Sequence, residues 1–206
     1  MPVVLEGGCL VAGAGEAEPL VGRAISLSTT RVADGLLRDD TRDQMLYVLA
    51  GAGSVEARPV GPDTGVYVPA GIAAQVGGAL TLACAYTPAE RRPGAAIEIV
   101  RLADCPSHET GDRSYRELIS ARVTQFVGDI PPGRAPDHYH HYEEMLVILA
   151  GVGRMWAGRS HAPLAPGSCV YLPRGQVHCV ENTGGSTLRL LGVFYPAGSP
   201  AVRYET

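Results

Sequence analysis

Asp43-Gln-Met-Leu-Tyr-Val-Leu-Ala-Gly-Ala-Gly53 and Glu143-Glu-Met-Leu-Val-Ile-Leu-Ala-Gly-Val-Gly153 stand 100 residues apart and are identical at six of eleven positions. The similarity continues downstream. Val66-Tyr-Val-Pro-Ala-Gly71 aligns with Val170-Tyr-Leu-Pro-Arg-Gly175 at an offset of 104, and Leu80-Thr-Leu-Ala-Cys-Ala-Tyr-Thr-Pro88 with Leu188-Arg-Leu-Leu-Gly-Val-Phe-Tyr-Pro196 at 108. An offset that grows in small steps means that loops have lengthened between conserved strands. Two copies are too few for a solenoid, so the repeat is read as two duplicated globular domains. Within each copy, short runs rich in Val, Leu, Ile and Tyr are punctuated by turn residues, and the chain holds 26 Gly and 16 Pro. That pattern predicts an all-β protein built of sandwiches or barrels. The boundaries fall at 1–90 for the N-terminal copy, 91–121 for a connecting segment containing Arg91-Arg-Pro-Gly94, and 122–206 for the C-terminal copy. The one stretch that reads as helical is Ser114 to Ala121.

Composition narrows the classes of function. The chain has 206 residues, 46% of them hydrophobic, and a formal net charge of -4. No basic stripe would neutralise a run of phosphates, which argues against nucleic acid as a partner. The opening MPVVLEGGCLVAGAG carries Glu6, lacks a basic leader and is too short to span a bilayer, so no membrane partner is expected. A lipoprotein reading of Cys9 would need an apolar residue where Glu6 stands. Five cysteines (Cys9, Cys84, Cys105, Cys169, Cys179) without a CxxC pair suit neither a disulfide framework nor a thiolate zinc site, and a reducing cytoplasm is expected. Nucleophile elbows, phosphate-binding glycine loops and dinucleotide fingerprints are all missing from the sequence.

The polar residues that stand out lie in Gly133-Arg-Ala-Pro-Asp-His138-Tyr-His140-His-Tyr-Glu-Glu144-Met-Leu-Val-Ile-Leu-Ala-Gly151. Strand side chains alternate faces, so His138, His140 and Glu144 point one way and His141 and Glu143 the other. Imidazoles and a carboxylate converging on a barrel interior are costly to desolvate, and a divalent metal removes that cost. His141 is the rival ligand if a bulge inverts the alternation. A second segment, Gly167-Ser-Cys-Val-Tyr-Leu-Pro173-Arg-Gly175-Gln-Val-His178-Cys-Val-Glu-Asn182, adds a histidine after a Pro-x-Gly turn. His108 and His161 stand outside both segments and read as solvated.

Together the two segments resemble the paired motifs of the cupin superfamily. The second matches at every marked position, and the first departs only by a spacer of four residues instead of five between Gly133 and His138. The resemblance implies two tandem cupin barrels (double-stranded β-helix, jelly roll), with His138, His140, Glu144 and His178 as metal ligands in the second. It implies one divalent transition metal per chain, with Mn, Fe, Ni and Zn not distinguishable. In the first copy the ligand positions map onto Arg38, Asp40, Gln44 and Ala74, so every ligand is lost there.

Four protein ligands on a six-coordinate metal leave two positions for water, dioxygen or a bidentate ligand. The expected function is therefore a metal-dependent bicupin enzyme acting on a small oxygenated metabolite, by dioxygenase-type or isomerase/lyase-type chemistry. A non-catalytic cupin that binds a sugar or organic acid is the alternative. No catalytic residue beyond the ligands can be named, but Gln125, Trp156, Tyr171 and Arg189 are substrate-binding candidates by strand position. Open sheet edges suggest a homodimer.

Overall fold

The computed structural model describes residues 1–15, 19–89, 94–202 and 204. No α-helix occurs among them; two 3-10 turns, Glu6–Gly8 and Leu102–Asp104, interrupt an otherwise all-β chain. None of the described residues forms a helix long and apolar enough to cross a membrane.

The repeat seen in the sequence is reproduced in strand pairing. Met45 lies opposite Tyr67 and Ala85, and Met145 lies opposite Tyr171 and Val193, which are the same offsets of 104 and 108. Even the irregularity recurs, since the register shifts between Val48 and Ala50 in the first copy and between Ile148 and Ala150 in the second. Alternation explains why MLYVLA and MLVILA are apolar at consecutive positions. Leu46 and Val48 enter a core made by the first half, and Leu146 and Ile148 enter one made by the second. Met45, Tyr47, Met145 and Val147 turn the other way into a third cluster that joins the two halves face to face. A side chain of this size gains about 1.5–3 kcal/mol on full burial, so both faces of each strand stabilise the chain.

Polar side chains of the second half reinforce that junction. Glu143 Oε2 accepts from Ala24 N at 2.9 Å and Ile25 N at 3.3 Å, the Tyr171 hydroxyl accepts from Arg23 N at 3.2 Å, and Gln125 Nε2 donates to Leu46 O at 3.2 Å. Gly65 leaves room for the Gln125 amide, which a Cβ there would strike.

Sheet membership links residues across positions 90 and 121. One eight-stranded sheet runs Val3–Val4, Leu10–Ala12, Cys169–Leu172, Glu143–Ala150, Leu188–Tyr195, Thr124–Ile130, Arg113–Ser120, His108–Thr110. The start of the chain thus edges the second half, while Glu98–Arg101, from the expected connector, pairs with Thr64–Val68 in the first. Strands added at the sheet margins cover edges that would otherwise expose unpaired backbone groups. Arg91, Arg92 and Pro93, and with them the expected joint, lie outside the described residues.

The helix expected over Ser114 to Ala121 is instead part of the strand Arg113–Ser120, antiparallel to Thr124–Ile130. A register shift between Glu117 and Ile119 lets the adjacent Leu118 and Ile119 both be buried. Two neighbouring apolar residues imitate a helical stripe, and the bulge that accommodates them in a strand is a tertiary feature.

Candidate metal centre

A four-stranded sheet, Gly133–Arg134, His178–Asn182, Gly153–Ala157 and Ser160–Leu164, holds one side of the candidate site. Glu143–Ala150 in the large sheet holds the other. The two motif segments are joined through their backbones: His138 N donates to His178 O at 3.0 Å, His178 N donates to His138 O at 2.8 Å, and Gly175 N donates to His140 O at 2.8 Å. Gly175 has φ +77, a left-handed conformation open to glycine, and this turns the chain from Pro173 into the strand that carries His178. Asn182 closes the far end of that strand, donating to Ile130 O and Ser186 O at 2.9 and 2.8 Å.

The ligand atoms of His138, His140 and His178 lie within 4.8 Å of one another and could hold a metal ion. His140, His178 and Glu144 are buried, and His138 is half-buried. His138 Nδ1 lies 3.0 Å from Pro136 O, and His178 Nδ1 lies 2.8 Å from Gln176 O. A carbonyl can only accept, so each Nδ1 carries the proton and each Nε2 keeps its lone pair for the centre. Backbone partners of this kind orient metal-ligating histidines. Glu144 Oε2 lies 3.4 Å from His178 Nε2 and 3.8 Å from His140 Nε2, yet it is buried without a well-formed hydrogen bond. Donors about 2.1 Å from a shared ion sit about 3.0–3.4 Å apart, so small movements would bring these atoms onto one. His141 is exposed and packs on Tyr204 with ring centroids 4.2 Å apart, directed away from the cluster.

The electrostatics suit a cation. Burial, and next the proximity of His178, hold the His138 pKa down to about 4, so its imidazole is neutral and able to ligate at neutral pH. Burial opposes ionisation of Glu144, but contact with His178 and the nearby His140 and His138 outweigh it and keep the carboxyl below its usual value. Imidazoles with one carboxylate are a nitrogen and oxygen donor set that suits divalent Mn, Fe, Ni or Zn. The first copy offers no such set. Arg38 and Asp40 pair with each other at 2.6 Å in solvent, while Gln44 and Ala74 are buried.

Residues 126–194 match the cupin domain family model. Auxin-binding protein 1 of Arabidopsis thaliana is 30% identical over 70 residues, which cover 30% of this chain and 35% of that protein. This chain therefore spans about a third of that curated relative's length. Among solved structures, a Pseudomonas aeruginosa protein described as glyoxylate-induced superposes with a TM-score of 0.72 at 14% identity, covering 98% of this chain and 86% of its own. Bacillus subtilis oxalate decarboxylase, whose Mn(II) centres are the subject of that structure, superposes with a TM-score of 0.68 at 14% identity, covering 85% and 70%. At these identities the superpositions show a shared fold.

His138, His140, His178 and Glu144 line a cavity of about 90 Å³. Its apolar wall includes Phe126, Ile130, Leu146, Val180, Leu190 and Phe194. Gln125, Trp156, Tyr171 and Arg189, the substrate candidates chosen by strand position, do not line it. Each sits on the outward face of its strand: Phe126, Val170, Leu190 and Met155, next to them in sequence, are the ones that enter the interior core. Gln125 and Tyr171 serve the junction between halves, Trp156 Nε1 donates to Glu181 Oε2 at 2.8 Å, and Arg189 pairs with Asp129 at 3.4 Å. Sequence reasoning missed Thr110, Arg113, Ser114 and Tyr115, which do line the cavity.

Proposed function

We propose that this chain is a bicupin of two tandem barrels and a metal-dependent enzyme acting on a small oxygenated metabolite, by dioxygenase-type or isomerase/lyase-type chemistry. Its centre would be His138, His140, Glu144 and His178. The observation that carries this reading is the convergence of imidazoles, with two Nδ1 atoms committed to backbone carbonyls, on a buried carboxylate oxygen that lacks a hydrogen bond. Such an arrangement is expensive to bury unless an ion shares it.

When bound, a divalent ion would supply a Lewis acid with positions open to exogenous ligands. The chain's own groups do the rest. Phe126, Leu146 and Phe194 give the cavity apolar walls, and Ser114, Tyr115 and Thr110 present hydroxyl groups at which a substrate can be oriented or a proton held. Matched registers and a separate core in each half support the two-barrel reading, and the lost ligand set supports a structural role for the first barrel. A binding protein without turnover is the second reading, favoured by the local similarity to a protein named for binding auxin. Metal-loaded protein offered a panel of small hydroxy acids, keto acids and enediols separates the two. Turnover, in oxygen consumption or in anaerobic product formation, supports an enzyme, and saturable binding without turnover supports the binding reading.

A further inference from the structure

We propose that a groove where the two halves meet binds a phosphate monoester, with Arg101, Arg116 and Arg189 as the groups that hold its phosphate. The groove has a volume of about 450 Å³, within the range of small-molecule sites, and it shares no lining residue with the cavity of the candidate metal centre. Its walls come from three parts of the chain: Asp63 and Thr64 in the first half, Arg101 and Leu102 at the turn Leu102–Asp104, and Arg116 and Arg189 on strands of the second half. The turn is held from both sides. Leu102 N donates to Asp63 O at 2.8 Å, while Arg116 Nη1 donates to Cys105 O at 3.2 Å and to Leu102 O at 3.4 Å. The walls are therefore fixed before a ligand arrives, which lowers the entropy cost of binding one.

The three arginines are not equally engaged. Arg101 pairs with Asp104 at 2.8 Å, but both side chains are more than half exposed and solvent screens the attraction. Arg189 is shared between Asp129 at 3.4 Å and Asp63 at 4.0 Å. Arg116 has no carboxylate within ion-pair distance among the described residues, and its two carbonyl acceptors both engage Nη1. The Nε and Nη2 donors of its fork remain for a ligand. Asp63, the carboxylate on the groove wall, already accepts from the Tyr47 hydroxyl at 2.5 Å. The choice among anions is geometric. A carboxylate offers two oxygens in one plane, which a single guanidinium fork saturates. A phosphate monoester offers three terminal oxygens in three directions, which matches guanidinium groups arriving from a turn and two strands. The rest of the groove takes the organic part of the ester, whose hydroxyl groups can donate to Asp63.

The probe is glycerol 3-phosphate, with glycerol as its uncharged body and malonate as a dianion of flat carboxylates, titrated calorimetrically into the full chain without added metal. Glycerol 3-phosphate should bind saturably and more tightly than either control. Arg116→Gln should weaken it by about 10- to 100-fold, the range for losing a charge-assisted contact. Arg101→Gln, at an exposed position, should weaken it by a smaller factor of about 3-fold. Circular dichroism checks that both variants fold, and Arg101→Gln carries the test if Arg116→Gln does not. His138→Ala/His178→Ala should bind the probe as the wild type does, because the groove is independent of the metal-centre reading. No saturable binding in the wild type, or unchanged affinity in the folded arginine variants, overturns the site. Equal affinity for malonate overturns the choice of phosphate, and equal affinity for glycerol overturns the choice of an anion. Loss of binding in the histidine double variant places the probe in the other cavity and overturns the groove.

Discussion

Replacing Glu144 with Gln tests whether the cluster is built for an ion or for the fold. The substitution keeps volume and removes charge from a side chain whose Oε2 is buried without a hydrogen bond, 3.4 and 3.8 Å from two imidazole nitrogens. In metal-free protein the carboxylate's desolvation offsets its attraction to the histidines, so the variant should lie within about 1 kcal/mol of the wild type. Metal changes the balance. A ligand at a hundred times its Kd stabilises the folded state by about 2.7 kcal/mol, which for a chain of 206 residues raises Tm by about 5–10 °C. At the same Mn(II) concentration Glu144→Gln should show little or no rise. Differential scanning calorimetry of both proteins, with and without Mn(II), reads all four values. An equal rise in the variant would remove Glu144 from the centre, and a drop of about 3 kcal/mol or more in the metal-free variant would make its carboxylate structural.

Metal stoichiometry should be one per chain, because the first copy presents an Arg38–Asp40 ion pair, Gln44 and Ala74 where ligands would stand. Elemental analysis should give that plateau and lose it in His138→Ala/His178→Ala; a plateau of two that survives the double variant would refute it. Glu143→Ala leaves the Ala24 and Ile25 amides unpaired at the junction and should cost about 2–4 kcal/mol in melting experiments without changing metal content. Lost metal would mean that the junction shapes the site. In metal-free protein the depressed pKa of His138, about 4, means that the unfolded chain binds the extra proton between that value and about 6.5. Stability from this group is therefore present above about pH 6.5 and lost as pH falls toward 4, by at most about 3 kcal/mol. Tm measured from pH 7.5 to 4.5 should fall less steeply in His138→Ala, and identical slopes would refute the effect.

The sequence by itself determined the features that depend on neighbours along the chain. Alternation placed His138, His140 and Glu144 on one face and His141 on the other, and the repeat offsets of 104 and 108 became strand registers. What it left open was which face of each remaining strand meets the cavity, because that depends on pairing with strands distant in the chain. Gln125, Trp156, Tyr171 and Arg189 were each one residue out of phase with an inward neighbour, and parity within one strand says nothing about parity across a sheet. Arg113 was invisible for a related reason. Leu118 and Ile119 are buried together only because a bulge opposite Phe126 and Gln125 absorbs the extra residue, and a bulge is stabilised by the partner strand and not by the local sequence.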